Sequence, residues 1–230
     1  MPAEILPTGA PLPGWVPPLR PSRIAITGRT CRMEPLDTAL HASALFEANA
    51  MDRDGRMWTY LAFGPFETSG VYREWVEAAA RSEDSFFFAI VDGATGRPVG
   101  VAAYMRIDPA NGSIEIGNLA FSPALQRTTA STEAMYLMIR QVFQLGYRRC
   151  EWKCNSLNAP SRAAAVRLGF TYEGTFRQAA VAKGCNRDTD WFSIIDTEWP
   201  ALRAEFERWL SPDNFAADGR QLTPLGADRS

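Results

Sequence analysis

Leu119-Ala120-Phe121-Ser122-Pro123-Ala124-Leu125-Gln126-Arg127-Thr128-Thr129-Ala130-Ser131-Thr132-Glu133-Ala134 is the stretch on which the reading of this chain turns. It reads as a strand, a turn marked by Pro123, a bend of small and hydroxyl residues, and the first turn of a long helix. The first four N–H groups of a helix have no partner within it, and that end carries a partial positive charge. When the entering loop lacks bulk, those donors close around a phosphate. Taken alone, the stretch is an anion cradle directly after a strand.

Working outward, the helix that starts at about Thr129 continues to Leu145, with Met135, Met138, Ile139, Val142 and Phe143 on one face and Gly146 ending it. Val99 to Ile107 and Ser113 to Phe121 read as the two preceding strands, parted by the turn residues Asp108-Pro109-Ala110-Asn111-Gly112. Phe86 to Val91 is an apolar run of the kind seen in buried strands. Further upstream, Arg23 to Met33 reads as one strand. Asp37 caps a helix to about Ala48, and a helix from Thr68 to Arg81 has Val71, Trp75 and Ala78 or Ala79 on its inner side. Downstream come a strand, Arg149 to Cys154, and an alanine-rich helix, Asn158 to Leu168, closed by Gly169. A strand pair follows, Phe170 to Thr175 and Asp190 to Thr197, with Trp191 and Phe192 read as core, and then a short helix, Pro200 to Leu210. Strands first in an antiparallel run, then alternating with helices, predict an α/β (α+β) fold with a mixed, mostly antiparallel central sheet. Residues 1–21 carry seven prolines and predict an extended arm anchored by Trp15; residues 22–210 form the body, and 211–230 a mobile tail.

Composition narrows the function. A formal charge of −2 gives no reason to expect nucleic acid. No apolar run is long enough to cross a bilayer and the start does not read as a secretory signal, so a cytoplasmic protein without a membrane partner is expected. A homodimer stays open. The four cysteines, Cys31, Cys150, Cys154 and Cys185, lack metal-ligand spacing and are expected as core fillers; His41 is the only histidine. That shortage argues against a metal site and against hydrolases built on a histidine base.

The elements and motifs from Arg23 to Trp199 together resemble the Gcn5-related N-acetyltransferase (GNAT) superfamily, in its branch of ribosomal-protein and small-molecule N-acetyltransferases. Gln126, Thr129 and Ser131 fall on the family's acetyl-CoA signature, with Leu119, Phe121 and Pro123 upstream and Thr132-Glu133-Ala134 after it. Asn158-Ala159-Pro160-Ser161, followed by Leu168-Gly169-Phe170 and Glu173-Gly174, is the second matching piece, and Glu115-Ile116-Gly117 the third. The resemblance implies a sheet with helices on both faces. It also implies acetyl-CoA as co-substrate and transfer to an amine, carried by a small molecule or a peptide, by direct attack on the thioester.

Two departures stand out: Thr129 and Ser131 replace the usual small residues, and Ala165 stands where many members carry an acidic tyrosine. By the same resemblance Leu119 and Phe121 line the pantetheine, a backbone N–H of that strand polarises the thioester carbonyl, and Gln126, Arg127, Thr128, Thr129, Ala130, Ser131 and Thr132 form the cradle. The hydroxyls are expected to help bind phosphate. Asn158 is either a helix cap, a pantetheine contact or both; Arg162 reaches the phosphates or stays a solvated charge. Glu115 is the candidate base, against a structural role beside an arginine, and Ser161 a candidate acid. Trp58 and Tyr60 form an acceptor wall or pack under their loop, and Arg177 reads a carboxylate or is merely exposed. Competing readings are a non-catalytic acyl-CoA sensor and, more distantly, a nucleotide-binding protein, although no Gly-Lys-Ser/Thr follows the bend.

Overall fold

The computed structural model describes residues 6–226 of the chain, so the outermost arm residues 1–5 and tail residues 227–230 lie outside it. Eight strands form one sheet: β1 Ile26–Thr27, β2 Cys31–Pro35, β3 Phe86–Asp92, β4 Pro98–Asp108, β5 Ser113–Phe121, β6 Arg149–Asn155, β7 Thr171–Ala182 and β8 Cys185–Ile195. Their spatial order is β1-β2-β3-β4-β5-β6-β8-β7. Every neighbouring pair is antiparallel except β5 with β6.

Alternate strand residues split into two cores, one on each face. Phe88, Ile90, Tyr104, Ile114, Ile116, Cys150 and Ile194 pack under α3 Thr129–Gln144, α4 Ala159–Arg167 and α5 Trp199–Leu210. Phe87, Ala89, Val101, Ala103 and Ala120 pack under α1 Thr38–Asn49 and α2 Ser69–Arg81, with Trp58. The mixed sheet with helices on both faces is as the sequence predicts. In α2 the inward stripe is Tyr72, Val76 and Ala79, at helical spacing, and this phase turns Val71 outward to 51% exposure.

Three other expectations are corrected. The single strand from Arg23 to Met33 is two short strands, because the chain reverses at Gly28–Thr30, where the Gly28 N–H donates to the Cys31 carbonyl at 2.9 Å. The final strand pair is a long hairpin of 12 and 11 residues turning at Lys183–Gly184, not two short strands. Residues 211–226 are tied to the body at Asn214 and Leu225 rather than free throughout. Leu225 is buried, and Asn214 donates to the carbonyls of Trp209 and Thr223 and accepts from the Thr223 N–H.

Of the described part of the arm, residues 15–21 lie on the body: Trp15 sits below the Arg148 guanidinium, Arg20 donates to the Glu83 carbonyl at 2.9 Å, and Pro18 and Pro21 are buried, whereas residues 6–14 are exposed. Just beyond it, Arg23 donates to the carbonyls of Ala80 and Ser82, groups that α2 leaves unpaired at its C-terminal end. Cys31, Cys150 and Cys154 are buried as fillers, and burial pushes the Cys31 thiol up to about 12; Cys185 is exposed at the start of β8 and is not a filler.

The reversal at Gly28–Thr30 is fastened to α3 by one carboxylate. Glu133, only 5% exposed, accepts from the N–H groups of Arg29 (2.8 Å), Thr30 (2.5 Å) and Cys31 (3.2 Å), and from the Thr30 hydroxyl. A Cβ at Gly28 would stand 2.6 Å from the Glu133 carboxyl carbon, so a side chain here has to push the carboxylate off the donors it gathers. Glu133→Ala strands those donors away from water. It is expected to destabilise the fold by roughly 2–4 kcal/mol in denaturant titration. Glu133→Gln, which keeps one acceptor oxygen, is expected to lose less.

Candidate active site

The strands β5 and β6 pair in parallel over only three residues, Ser113–Glu115 against Arg149–Glu151, and then part. Two bulges bracket this apex. Arg106 (φ 43°) adds one residue to β4 and Asn118 (φ 53°) one to β5, where the register slips between Gly117 and Ala120. The slip resets the alternation, so Leu119 and Phe121 share the face of Ile114 and Ile116 and border the first core. Each strand keeps its outer neighbour, β4 or β8, while the inner edges open into a V-shaped gap. Backbone groups along that gap have no strand to pair with, which makes it a place for a ligand with amides of its own.

Two helix starts follow the strands that border the gap. At α3, Thr128 caps: its hydroxyl accepts from the Ser131 N–H at 3.1 Å and donates to the Leu125 carbonyl at 2.7 Å. Gln126 donates to the Phe121 carbonyl, and Arg127 holds the bend in the left-handed region at φ 60°, its side chain exposed. The Ser131 hydroxyl donates to the Thr128 carbonyl, and the Thr132 hydroxyl accepts from Arg167 at 3.0 Å. The hydroxyls of Thr128 and Ser131 therefore spend their protons on the bend. The N–H groups of Thr129 and Ala130, with no hydrogen bond among the described residues, are the open donors. At α4, Asn158 is a cap whose side-chain oxygen accepts from the Ser161 N–H at 3.2 Å.

The Ser161 hydroxyl accepts from the Trp152 indole N–H at 3.0 Å, and Arg162 is drawn 2.8 Å to the buried Asp190 carboxylate. Ala165 is wholly buried in the first core, so no acid stands at that position.

Glu115 lies at the apex, 3% exposed, on the face of α1 and α2. Its Oε2 meets Arg106 and, at 3.1 Å, Lys153, which also pairs with Glu151 at 2.8 Å and lies over the Trp191 ring. Its Oε1 lies beside Gly117, the residue at which the gap begins, and makes no hydrogen bond among the described residues. The array continues through Arg149 to Glu173, whose carboxylate also takes the Ser193 hydroxyl. Hydrogen bonding from Arg149 holds the Glu173 carboxyl below the usual range. At Glu151 burial pushes the other way, but Arg149 and Lys153 outweigh it. Sequence reading missed Lys153, although Arg149, Glu151 and Lys153 alternate along β6 and so mark one charged face.

Trp58 is buried among Phe63 and Phe66 and is not a free wall. Tyr60, two residues on, donates to the Leu157 carbonyl at 3.0 Å and so ties its loop to the entrance of α4. Arg177 is exposed in a bulge of β7 opposite Asp188.

The sequence matches the family model described as an acetyltransferase (GNAT) domain over residues 31–171. A GCN5-related N-acetyltransferase from Brucella melitensis is 45% identical in a superposition covering 95% of this chain and 99% of the other, with a TM-score of 0.93. A probable acetyltransferase of the GNAT family from Chromobacterium violaceum is 41% identical, covering 86% of this chain and 99% of the other at a TM-score of 0.79. The ribosomal-protein-serine acetyltransferase of Escherichia coli is 31% identical over 44% of this chain and 56% of its own length. Among the described residues no helix is long and apolar enough to cross a membrane.

The Glu151 and Glu173 carboxyls, held below the ordinary glutamate value of 4.5, stabilise the fold above that pH, and the contribution disappears as pH falls through their folded values. Arg149→Met is therefore expected to be less stable than the parent at neutral pH, with the gap narrowing below pH 4.5; melting curves across pH 3–7 measure it.

Proposed function

The chain belongs to the GNAT acetyltransferase family, and on that premise we propose that it transfers an acetyl group from acetyl-CoA to a primary amine. The observation that carries this reading is the gap between β5 and β6, where backbone pairing stops after three residues and two capped helix starts follow. Acetyl-CoA supplies the activated acetyl thioester that the amine attacks. The chain's own residues supply placement.

The Thr129 and Ala130 N–H groups and the positive end of α3 suit the pyrophosphate. The inner edges of β5 and β6 suit the amides of pantetheine, with Leu119 and Phe121 as apolar flank, and in this reading a β5 N–H polarises the acyl oxygen. Holding amine and thioester together accounts for most of the acceleration.

As the new C–N bond forms and the C–S bond breaks, the amine must lose a proton. Glu115 Oε1, open beside Gly117, is the acceptor in this proposal, directly or through one water, while Oε2 keeps its two cations. Ala165 has no proton to give, and in this scheme the leaving thiolate takes its proton from water rather than from Ser161, whose hydroxyl accepts from the Trp152 indole. A small-molecule amine is the preferred acceptor. The competing acceptor is a ribosomal protein, raised by the name of the Escherichia coli relative.

Incubating the protein with acetyl-CoA and a panel of amines and peptides, with thiol release and product mass as readouts, tests the proposal. Binding of acetyl-CoA without any acetylated product would mark an acyl-CoA-binding protein instead. Glu115→Gln is expected to lower kcat/KM about 100-fold while leaving the Kd for acetyl-CoA unchanged, and unaltered turnover removes Glu115 from the role. Thr129→Glu, which sets a negative charge at the helix start, is expected to weaken acetyl-CoA binding about tenfold or more.

A further inference from the structure

Two contacts cross from the loop after α1 to the C-terminal half of the sheet. Lys183, at the turn of the β7–β8 hairpin, donates its ammonium to the carbonyls of Trp58 and Gly64, each at 2.7 Å, with the Phe63 carbonyl at 3.4 Å. Three main-chain acceptors thus meet the three donors of one ammonium. Tyr60, from the same loop, donates to the Leu157 carbonyl between β6 and α4.

The loop between these anchors is stiff. Trp58 meets Phe66 edge-on at 5.4 Å, Phe63 lies 4.4 Å from Trp75, and the Asp52 carboxylate takes the Met57 N–H at 2.7 Å. Its Arg56–Trp58 turn packs against β5, the strand that borders the gap on one side, whereas both anchor points belong to segments beyond the gap on the other. The loop therefore bridges the β5–β6 gap on the face of α1 and α2, the face on which Glu115 also lies.

We propose that Lys183 determines acceptor specificity. Its ammonium latches the hairpin tip to the Trp58–Gly64 loop, so the acceptor side is roofed and admits a compact primary amine, while the N-terminal segment of a folded protein is rejected. This rests on the acetyltransferase reading above and names the class of its second substrate. Lys183 is an exposed residue, yet each donor of its ammonium has a main-chain carbonyl of the loop to meet, and Tyr60 repeats the same crossing nearby.

The test needs no turnover. Two conjugates are prepared in which the CoA sulfur is joined through an acetyl spacer either to propylamine or to the α-amine of a bulky hexapeptide. Calorimetry on the full chain then gives the ratio of their affinities. The wild type is expected to favour the propylamine conjugate at least tenfold. Lys183→Ala is expected to bring the ratio below threefold, and Lys183→Arg, whose guanidinium also donates to carbonyls, to restore most of it.

Hydrogen exchange at residues 56–64 is expected to quicken in Lys183→Ala alone, which separates a released latch from a misfolded protein. Equal affinity for the two conjugates in the wild type, or a tenfold preference retained in Lys183→Ala, overturns the proposal. If the conjugates split as expected while no free amine is acetylated, it is the acetyltransferase reading that fails and the roofed site that stands.

Discussion

A parallel strand pair that holds for three residues and then parts is the constraint from which the rest of this structure follows. Ser113–Glu115 and Arg149–Glu151 tie β5 to β6, and beyond them each strand is secured only on its outer side. The parting is built in by Asn118, whose left-handed backbone inserts a residue opposite β4 and turns the following side chains over. Backbone groups opened in this way need partners, and an extended molecule with amides can supply them. The two helix starts that follow these strands add unpaired donors and positive potential nearby.

What keeps the apex from unzipping further is ionic. Lys153 joins Glu115 on β5 to Glu151 on β6 at the point where hydrogen bonding between the strands ends. Ion pairs removed from water are a poor source of stability in themselves. Their value here is geometric: three cations and three carboxylates alternate across neighbouring strands and fix the spacing of the sheet on the face where the acceptor is proposed to enter. Glu133 has a comparable function elsewhere. Within a Thr-Glu-Ala run that resembles the family's, its carboxylate pins the Gly28–Thr30 reversal and so holds β2 against α3.

Where the sequence could be read, local chemistry was strong enough to stand alone. The long helix after Thr128, the cap residues Asp37, Thr68 and Asn158, and the apolar β3 all follow from side-chain type and spacing. The misreadings share one cause, contacts from distant residues. The first strand breaks because a carboxylate about a hundred positions away gathers its N–H groups. The last hairpin runs on past Thr175 because its tip has the loop at Trp58–Gly64 to rest on. Arg162, read as a phosphate contact or a solvated charge, is drawn instead to the buried Asp190.

By itself the sequence determined the order of elements, the two apolar periodicities that make a sheet with helices on both faces, and the strand, bend and helix start from Leu119 to Ala134. All three depend on residues near one another in the chain. Only the tertiary structure decided that Glu115 keeps one oxygen beside Gly117 while the other holds two cations, that the Ser131 hydroxyl braces the bend, and that Lys183 and Tyr60 tie the Trp58–Gly64 loop to segments beyond β6. Those facts belong to pairs as far apart as 125 positions, and no local pattern encodes which distant carbonyl or carboxylate a side chain will meet.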